Sequence, residues 1–279
     1  MRDTSVEPAD PEHVDLYGAN YAGFATDLYV DIRREAVGED MGQNGWNTAA
    51  EQDRFIQWLD LGPSDHLLDV ACGAGGPALR MARLTGCRVT GIDIHEQGIA
   101  QARDRATLEG LGDRARFEIV DASATLPFGD ATFGVVTCID AINHFPNRLA
   151  VLREWHRVLK PGGRLLFADP ITVTGPLTNR EIAIRSSIAF FLFVPPGYDE
   201  QVLAKAGFTV TFREDCTANT AAVAGRWRDA REVRAEALRT IEGDETFEGQ
   251  QRFLDVTARL AEERRLSRFV FVATIPDSA

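Results

Sequence analysis

The central part of the chain alternates between short apolar runs and longer amphipathic stretches. Five runs have the length and composition of buried strands: "HLLDVA", "RVTGIDI", "ARFEIVDA", "FGVVTCID" and "GRLLFADP". Three stretches between them repeat apolar residues at helical spacing: "GPALRMARL", "EQGIAQARDRATLEG" and "NRLAVLREWHRVL". Because strands that alternate with helices form right-handed crossovers, we predict an α/β doubly wound fold with a mostly parallel sheet.

The two ends of the chain differ from this centre. Residues 11–59 have a mainly helical pattern, interrupted at "EDMGQNGWN". The C-terminal part predicts a helix, the strand "FTVTFRED", charged helices over about 218–265 and the final strand "SRFVFVATI". Two late strands around a helical insert favour an antiparallel sheet edge that carries a cap. We therefore divide the chain into an N-terminal helical cover (1–60), a core (61–175) and a sheet end with its helical cap (176–279).

Composition narrows the classes of partner. The 279 residues are 44% hydrophobic and 26% charged, enough for a sizeable core, and the formal net charge is −12. An acidic surface repels phosphate backbones, so we expect no nucleic-acid partner. Four cysteines without C-x-x-C spacing predict reduced thiols in a cytoplasmic protein. We expect no signal peptide, no membrane span and no metal, and the oligomeric state stays open, a homodimer included.

The turn after the first predicted strand is rich in glycine. Ligands of open α/β sheets bind beyond the carboxyl ends of the strands, and this turn lies there. Gly73, Gly75 and Ala78 satisfy the G-x-G-x-x-[G/A] pattern of nicotinamide cofactor sites. Asp93 ends the second strand, where a carboxylate can accept hydrogen bonds from two ribose hydroxyls. The glycines alone leave the identity of the nucleotide cofactor open.

Three features favour a cofactor with a cationic end. Asp69 lies four residues before Gly73, where it would repel a pyrophosphate and attract an ammonium group. Asp121 ends the third strand, where its carboxylate could accept from the amino group of adenine. The stretch "LKPGG" ends the helix before the fifth strand.

Together these stretches resemble the class I S-adenosylmethionine-dependent methyltransferases. The resemblance rests on "LLDVACGAGG", "GIDI", "VDASATLPF" and "RVLKPGGRLLFAD", and it covers residues 40–170 best. It implies a Rossmann-like seven-stranded sheet of order 3-2-1-4-5-7-6, with residues 61–175 as the cofactor-binding core. It also implies a set of S-adenosylmethionine-binding residues: Asp69, Ala71, Gly73 and Gly75 for the methionine end, Asp93 for the ribose, Ile94, Asp121 and Ala122 for the adenine, Ile139 near the sulfonium, and Gln43, Asn44 and Trp46 as a cover.

The segment after the fourth strand, "CIDAINHFPN", places Asp140, Asn143 and His144 at the mouth where a substrate must approach, with Asp140 and His144 as candidate catalytic residues. It resembles the "HxPD" segment of natural-product and sugar methyltransferases, with Asn147 in place of the final aspartate. Asp169 ends the fifth strand nearby, so we predict that a His144–Asp169 pair acts as base and orienting acid. The alternative that His144 bonds a loop carbonyl stays open.

We predict an enzyme that transfers a methyl group to a small, partly apolar metabolite through a hydroxyl, an amine or an activated carbon. The stretch "IAFFLFVPPGY" could line the substrate pocket or form a core helix. Two alternatives remain: an NAD(P)-dependent oxidoreductase, and a non-catalytic S-adenosylmethionine-binding protein.

Overall fold

A computed structural model describes residues 23–276 of the chain, and the predictions for residues 1–22 lie outside that part. Seven strands form one sheet of order β3-β2-β1-β4-β5-β7-β6, which confirms the predicted order. Strands β1 to β5 pair in parallel, whereas β7 pairs antiparallel with both β5 and β6. The strands span His66–Val70 (β1), Arg88–Asp93 (β2), Ala115–Ile119 (β3), Phe133–Ile139 (β4), Leu159–Val173 (β5), Thr209–Asp215 (β6) and Leu266–Thr274 (β7).

Ten α-helices precede, connect or follow these strands within the described part. They span Asp27–Val37 (α1), Ala49–Trp58 (α2), Gly76–Thr85 (α3), Glu96–Leu108 (α4), Arg148–Val158 (α5), Asn179–Arg185 (α6), Tyr198–Lys205 (α7), Thr217–Glu232 (α8), Ala235–Glu242 (α9) and Asp244–Glu262 (α10). Within the same residues, none of the helices is both long and apolar enough to cross a membrane.

The central strands are buried on both faces, which explains their nearly continuous apolar runs. Leu68 and Trp155 belong to the apolar cluster that contains helix α5. Leu67, the neighbour of Leu68, packs with Phe55 and Leu79 in a second cluster. Since consecutive side chains of a strand point to opposite faces, β1 contributes to both clusters at once.

Strand β5 is longer than the sequence predicts. It continues past Pro170 to Val173 and pairs there with β7 as Thr172↔Ser267 and Val173↔Leu266. The register shifts between Asp169 and Thr172, where Pro170 has no N–H to donate to the ladder. The extension carries β5 beyond the end of β4, whose last residue, Ile139, pairs with Ala168.

Three helices, α8 to α10, lie between β6 and β7 in the chain and pack with α1. Their apolar contacts include Val223, Phe253 and Ala36 in one cluster and Ile32 and Phe247 in another. The stretch from Ile188 to Val194, for which a core helix was one alternative, has no helix and forms a single bridge from Val194 to Thr172.

Candidate active site

The turn from β1 to α3 has an unusual backbone. Ala71, Gly73 and Gly75 all have positive φ, at 56°, 55° and 72°. At Gly75 a side chain has no room, because a Cβ would lie 2.7 Å from the ring of Phe117. The turn therefore brings the backbone close to the carboxyl edge of the sheet, where the first N–H groups of α3 have no helical acceptors.

Two carboxylates lie at this turn. Asp69 is buried, and its Oδ1 accepts a hydrogen bond of 2.7 Å from Thr137 Oγ1. Burial raises the pKa of Asp69 to about 7, and the charge of Asp93 adds to the increase. Asp93 accepts 2.8 Å from Gly73 N through Oδ2 and 2.9 Å from His95 N through Oδ1. Each oxygen of Asp93 keeps a second lone pair for a ligand.

The predicted adenine-contacting residues follow β2 and β3. Ile94 is 60% exposed, which is high for an isoleucine beside a buried carboxylate. Asp121 is exposed, and its Oδ1 accepts from the backbone N and the hydroxyl of Ser123 at 2.9 and 2.6 Å. Ala122 is buried beneath Asp121, and Ile139 is partly buried at the end of β4. These four positions stay predictions for the cofactor.

Residues 41–47, here called the cover segment, cross the N-terminus of α3. The approach is close: a Cβ at Gly76 would lie 1.6 Å from the Met41 carbonyl oxygen, so only glycine fits. Gln43 Oε1 accepts 2.9 Å from Met41 N, and its Nε2 donates 3.2 Å to the Asn47 carbonyl. Gln43 therefore shapes the cover segment from within, and its predicted contact with the cofactor remains untested.

The cover segment is tied to the core through Asp140. Trp46 N donates 2.8 Å to Asp140 Oδ2, and Arg268 Nε donates 2.6 Å to Asp140 Oδ1. Arg268 also contacts both oxygens of Glu51, and Asn219 joins Glu51 to the Trp46 carbonyl. The carboxylate of Asp140 therefore pairs with a buried arginine and anchors the cover segment, and its catalytic role stays a prediction.

The predicted His144–Asp169 pair does not form. Asp169 is fully buried and accepts 2.7 Å from Arg148 Nη1 and 3.1 Å from Ile171 N. Arg148 Nη1 also donates 2.5 Å to Asp199. A guanidinium buried at the start of α5 requires such counter-charges, so Asp169 neutralises Arg148 and does not orient His144. Arg148 was missed, although its spacing to Leu152 and Trp155 places a charge on an apolar helical face.

His144 adopts the alternative that the sequence left open, a bond to a loop carbonyl. Its Nδ1 lies 3.0 Å from the Phe190 oxygen, and its ring lies 5.0 Å from the ring of Phe191. Because a carbonyl only accepts, Nδ1 carries the proton and Nε2 holds a lone pair. Burial lowers the pKa of His144, which keeps the ring neutral near pH 7.

A pocket of about 560 Å³, including its opening, lies between the cover segment, the β4–α5 loop and helices α6, α8 and α10. Its walls are largely aromatic, with Trp46 6.3 Å from both Trp227 and Phe253 between ring centroids. Its polar lining residues are Asn44, Asp140, Asn143, His144, Arg185 and Gln250. Within the described residues, no three His, Cys, Asp or Glu side chains gather as a metal site requires.

Known proteins resemble the part of the chain that contains this site. Residues 68–167 match the family described as "Methyltransferase domain". A relative from Amycolatopsis mediterranei, named 27-O-demethylrifamycin SV methyltransferase, is 38% identical over 56% of this chain and 61% of its own length. A sterol 24-C-methyltransferase from Eremothecium gossypii is 37% identical over 74% of this chain and 64% of its own. The chain thus matches less than two thirds of either relative.

Solved structures share the fold. Phosphoethanolamine N-methyltransferase 2 from Haemonchus contortus, solved with S-adenosylhomocysteine, has a TM-score of 0.77 at 19% identity and covers 93% of this chain and 60% of its own. A mycolic acid cyclopropane synthase, also with S-adenosylhomocysteine, has a TM-score of 0.79 at 18% identity over 93% and 98% of the two chains. Residues 68–167 thus form a methyltransferase domain, and the chain has the fold of the class I S-adenosylmethionine-dependent methyltransferases.

Proposed function

We propose that the protein transfers a methyl group from S-adenosylmethionine to a small, partly apolar metabolite. The observation that carries this proposal is the pair of carboxylates, Asp69 and Asp93, at the glycine turn. The cover segment crosses the start of the helix after this turn and also lines the aromatic pocket. A buried carboxylate with a raised pKa suits the ammonium group of the cofactor. The exposed Ile94 beside Asp93 suits the face of an adenine ring. The residues present therefore fit the cofactor.

The chain contributes mainly by positioning. When bound, S-adenosylmethionine supplies an electrophilic methyl group on a positively charged sulfur. The anchored cover segment holds Trp46 over the pocket and excludes water, and a fixed alignment of the reacting atoms can contribute about 7–11 kcal/mol. For a hydroxyl acceptor, Nε2 of His144 would accept the hydroxyl proton when the methyl group is transferred.

The relatives and the cysteines support two finer proposals. The relative from Amycolatopsis mediterranei is named as a methyltransferase that acts on 27-O-demethylrifamycin SV, which favours a natural-product acceptor for this chain as well.

All four cysteines are buried and free, which favours a location in the reducing cytoplasm.

A ligand comparison tests the proposed cofactor against a nicotinamide cofactor. S-adenosylhomocysteine is expected to raise the melting temperature, because a ligand selective for the native state stabilises it. NADH at the same concentration is expected to leave the melting temperature unchanged. Stabilisation by NADH alone would overturn the proposal.

Cofactor affinity is expected to depend on pH through Asp69. The ammonium group of S-adenosylhomocysteine needs the ionised carboxylate, and the pKa of Asp69 is raised to about 7 by burial. Protonation therefore competes with binding below that pH, and affinity falls about tenfold from pH 8 to pH 6. Isothermal titration calorimetry at both pH values measures this loss. In Asp69→Asn the affinity is lower and nearly independent of pH; a wild-type affinity that stays constant contradicts the assignment.

Replacing His144 with alanine is expected to lower turnover by about 10²–10⁴-fold while sparing affinity for S-adenosylhomocysteine. The reason is that Nε2 is the proposed proton acceptor at the pocket, whereas the cofactor residues are unchanged. Transfer of a radiolabelled methyl group to a pool of metabolites measures turnover. Turnover near wild type would refute the base while leaving methyl transfer in place.

A further inference from the structure

Two buried amide side chains line the pocket, and within the described part of the chain each has one polar atom without a hydrogen-bond partner. Asn143, in the turn Ile142–His144, is 1% exposed, and its Oδ1 accepts no hydrogen bond from the described residues. Gln250, on α10, is 2% exposed, and its Nε2 donates none within the same part of the chain. Both line the pocket beside His144. A buried polar atom without a hydrogen-bond partner costs free energy. A native structure keeps such an atom where a water molecule or a ligand completes the hydrogen bond.

Neighbouring groups show that neither residue is loosely placed. The backbone oxygen of Asn143 accepts 2.8 Å from Leu192 N, so its main chain is held while its side chain remains available. Gln251, next to Gln250 on α10, donates through Nε2 to Glu232 at 2.9 Å and to the Arg228 carbonyl at 3.2 Å. Helix α10 thus uses one glutamine to pack against α8 and presents the next one to the pocket.

The chemistry of two amides indicates which group they bind. Each amide has a donor end and an acceptor end, so together they suit a neutral group that both donates and accepts, such as a hydroxyl. Asp140 is the one carboxylate among the described pocket-lining residues, and it is committed to Arg268. A protonated amine therefore finds no available carboxylate there, and a bare carbon nucleophile leaves both amides unsatisfied.

Resting on the proposed function, we propose that Asn143 and Gln250 determine specificity by binding a hydroxyl group of the methyl acceptor. Much of the remaining wall is apolar and aromatic, with Trp46, Trp227 and Phe253 as its largest apolar side chains. The acceptor is then a hydroxylated molecule with an otherwise apolar body. Asn143 precedes His144 in the chain, so the bound hydroxyl lies near the proposed base.

Three probes of equal size test this inference on protein saturated with S-adenosylhomocysteine: benzyl alcohol, ethylbenzene and benzylamine, which is protonated at pH 7. Saturation-transfer NMR titrations measure their relative affinities. The wild type is expected to bind benzyl alcohol about fivefold more tightly than ethylbenzene, as one or two neutral hydrogen bonds allow. The near-isosteric variants Asn143→Leu and Gln250→Met are expected to reduce this ratio to about one.

Gln251→Met is the matched control, because its amide bonds away from the pocket, and it is expected to keep the ratio of the wild type. Melting temperatures supply a second readout. If the two pocket amides serve the acceptor, Asn143→Leu and Gln250→Met should melt at or above the wild-type temperature, since an unsatisfied buried group is removed. A structural role for either amide would instead lower the melting temperature.

The inference fails if the wild type binds ethylbenzene or benzylamine more tightly than benzyl alcohol, or if it transfers no saturation to benzyl alcohol. It also fails if both variants keep the wild-type preference for benzyl alcohol. Binding of S-adenosylhomocysteine is measured on each sample beforehand. Intact cofactor binding with no alcohol preference refutes only this inference, whereas loss of cofactor binding in the wild type refutes the proposed function.

Discussion

Replacing Arg148 with methionine is expected to lower the free energy of unfolding by about 3–5 kcal/mol. Arg148 is fully buried between Asp169 and Asp199, with Nη1 at 2.7 and 2.5 Å from their oxygens. Methionine fills much of the space but leaves Asp169 and Asp199 without their shared partner in an apolar interior, where an unpaired charge is costly. Urea denaturation at pH 7 measures the loss, and a variant as stable as the wild type would contradict the role of Arg148.

Two further variants separate charge from packing. Arg34→Met removes an exposed arginine that pairs with Asp31 on α1, and it is expected to cost less than about 1 kcal/mol. Adding Asp199→Asn to Arg148→Met removes the second acid of the site and should recover part of the loss at pH 9, where Asp199 ionises.

Folding stability is expected to depend on pH through Asp199, which lies beside Arg148. Burial and the neighbouring Asp169 raise the pKa of Asp199 from 3.8 to about 8. The folded state therefore binds this proton more tightly than the unfolded state does. The bound proton of Asp199 therefore stabilises the folded state fully below pH 3.8, and this stabilisation is lost as pH rises to about 8. The cost of Arg148→Met should accordingly be smaller at pH 5 than at pH 9.

Replacing Asp93 with alanine is expected to weaken the binding of S-adenosylhomocysteine by at least tenfold, and by up to about a hundredfold. Asp93 is the proposed acceptor for both ribose hydroxyls, and hydrogen bonds to a charged group are the stronger kind. The same side chain holds Gly73 N at 2.8 Å, so its loss also loosens the glycine turn. Calorimetric titration gives the affinity; an unchanged value removes the ribose assignment.

Asp104→Ala is the control for charge alone. Asp104 is exposed on α4, the helix that follows Asp93, and its removal changes the net charge by the same amount. Affinity in this variant should match the wild type. Asp93→Asn keeps one acceptor for Gly73 N–H and is expected to lose less affinity than Asp93→Ala.

The parts of the site that could be predicted from the sequence are those that depend on residues close together in the chain. Asp69 and Asp93 could be predicted at the carboxyl edge because each ends a strand whose apolar run is visible in the sequence. The glycine turn was equally visible, since positive φ at Gly73 and Gly75 depends on the turn itself. The sheet order followed from the family resemblance, and the structure confirmed it.

The local sequence pattern could not predict which residues pair with the proposed catalytic acids. Asp140 follows the end of β4 as predicted, whereas Asp169 lies inside the longer β5, and each of the two is bound by an arginine. Arg268 lies 128 residues from Asp140, and Arg148 reaches Asp169 from another element. Which of several arginines reaches a given carboxylate depends on how the elements pack, and no local periodicity encodes that choice.

By itself, the sequence determined the α/β alternation, the glycine turn and the strand-end carboxylates. These features depend on backbone conformation and on the spacing of apolar residues, which positions close together in the chain set. The tertiary structure alone decided which charges pair and which polar groups are left facing the pocket. Trp46 meets Asp140 across 94 residues and Glu51 meets Arg268 across 217. Contacts of that separation arise only when the sheet and its helices have closed, since hydrogen bonds and ion pairs act over a few ångströms.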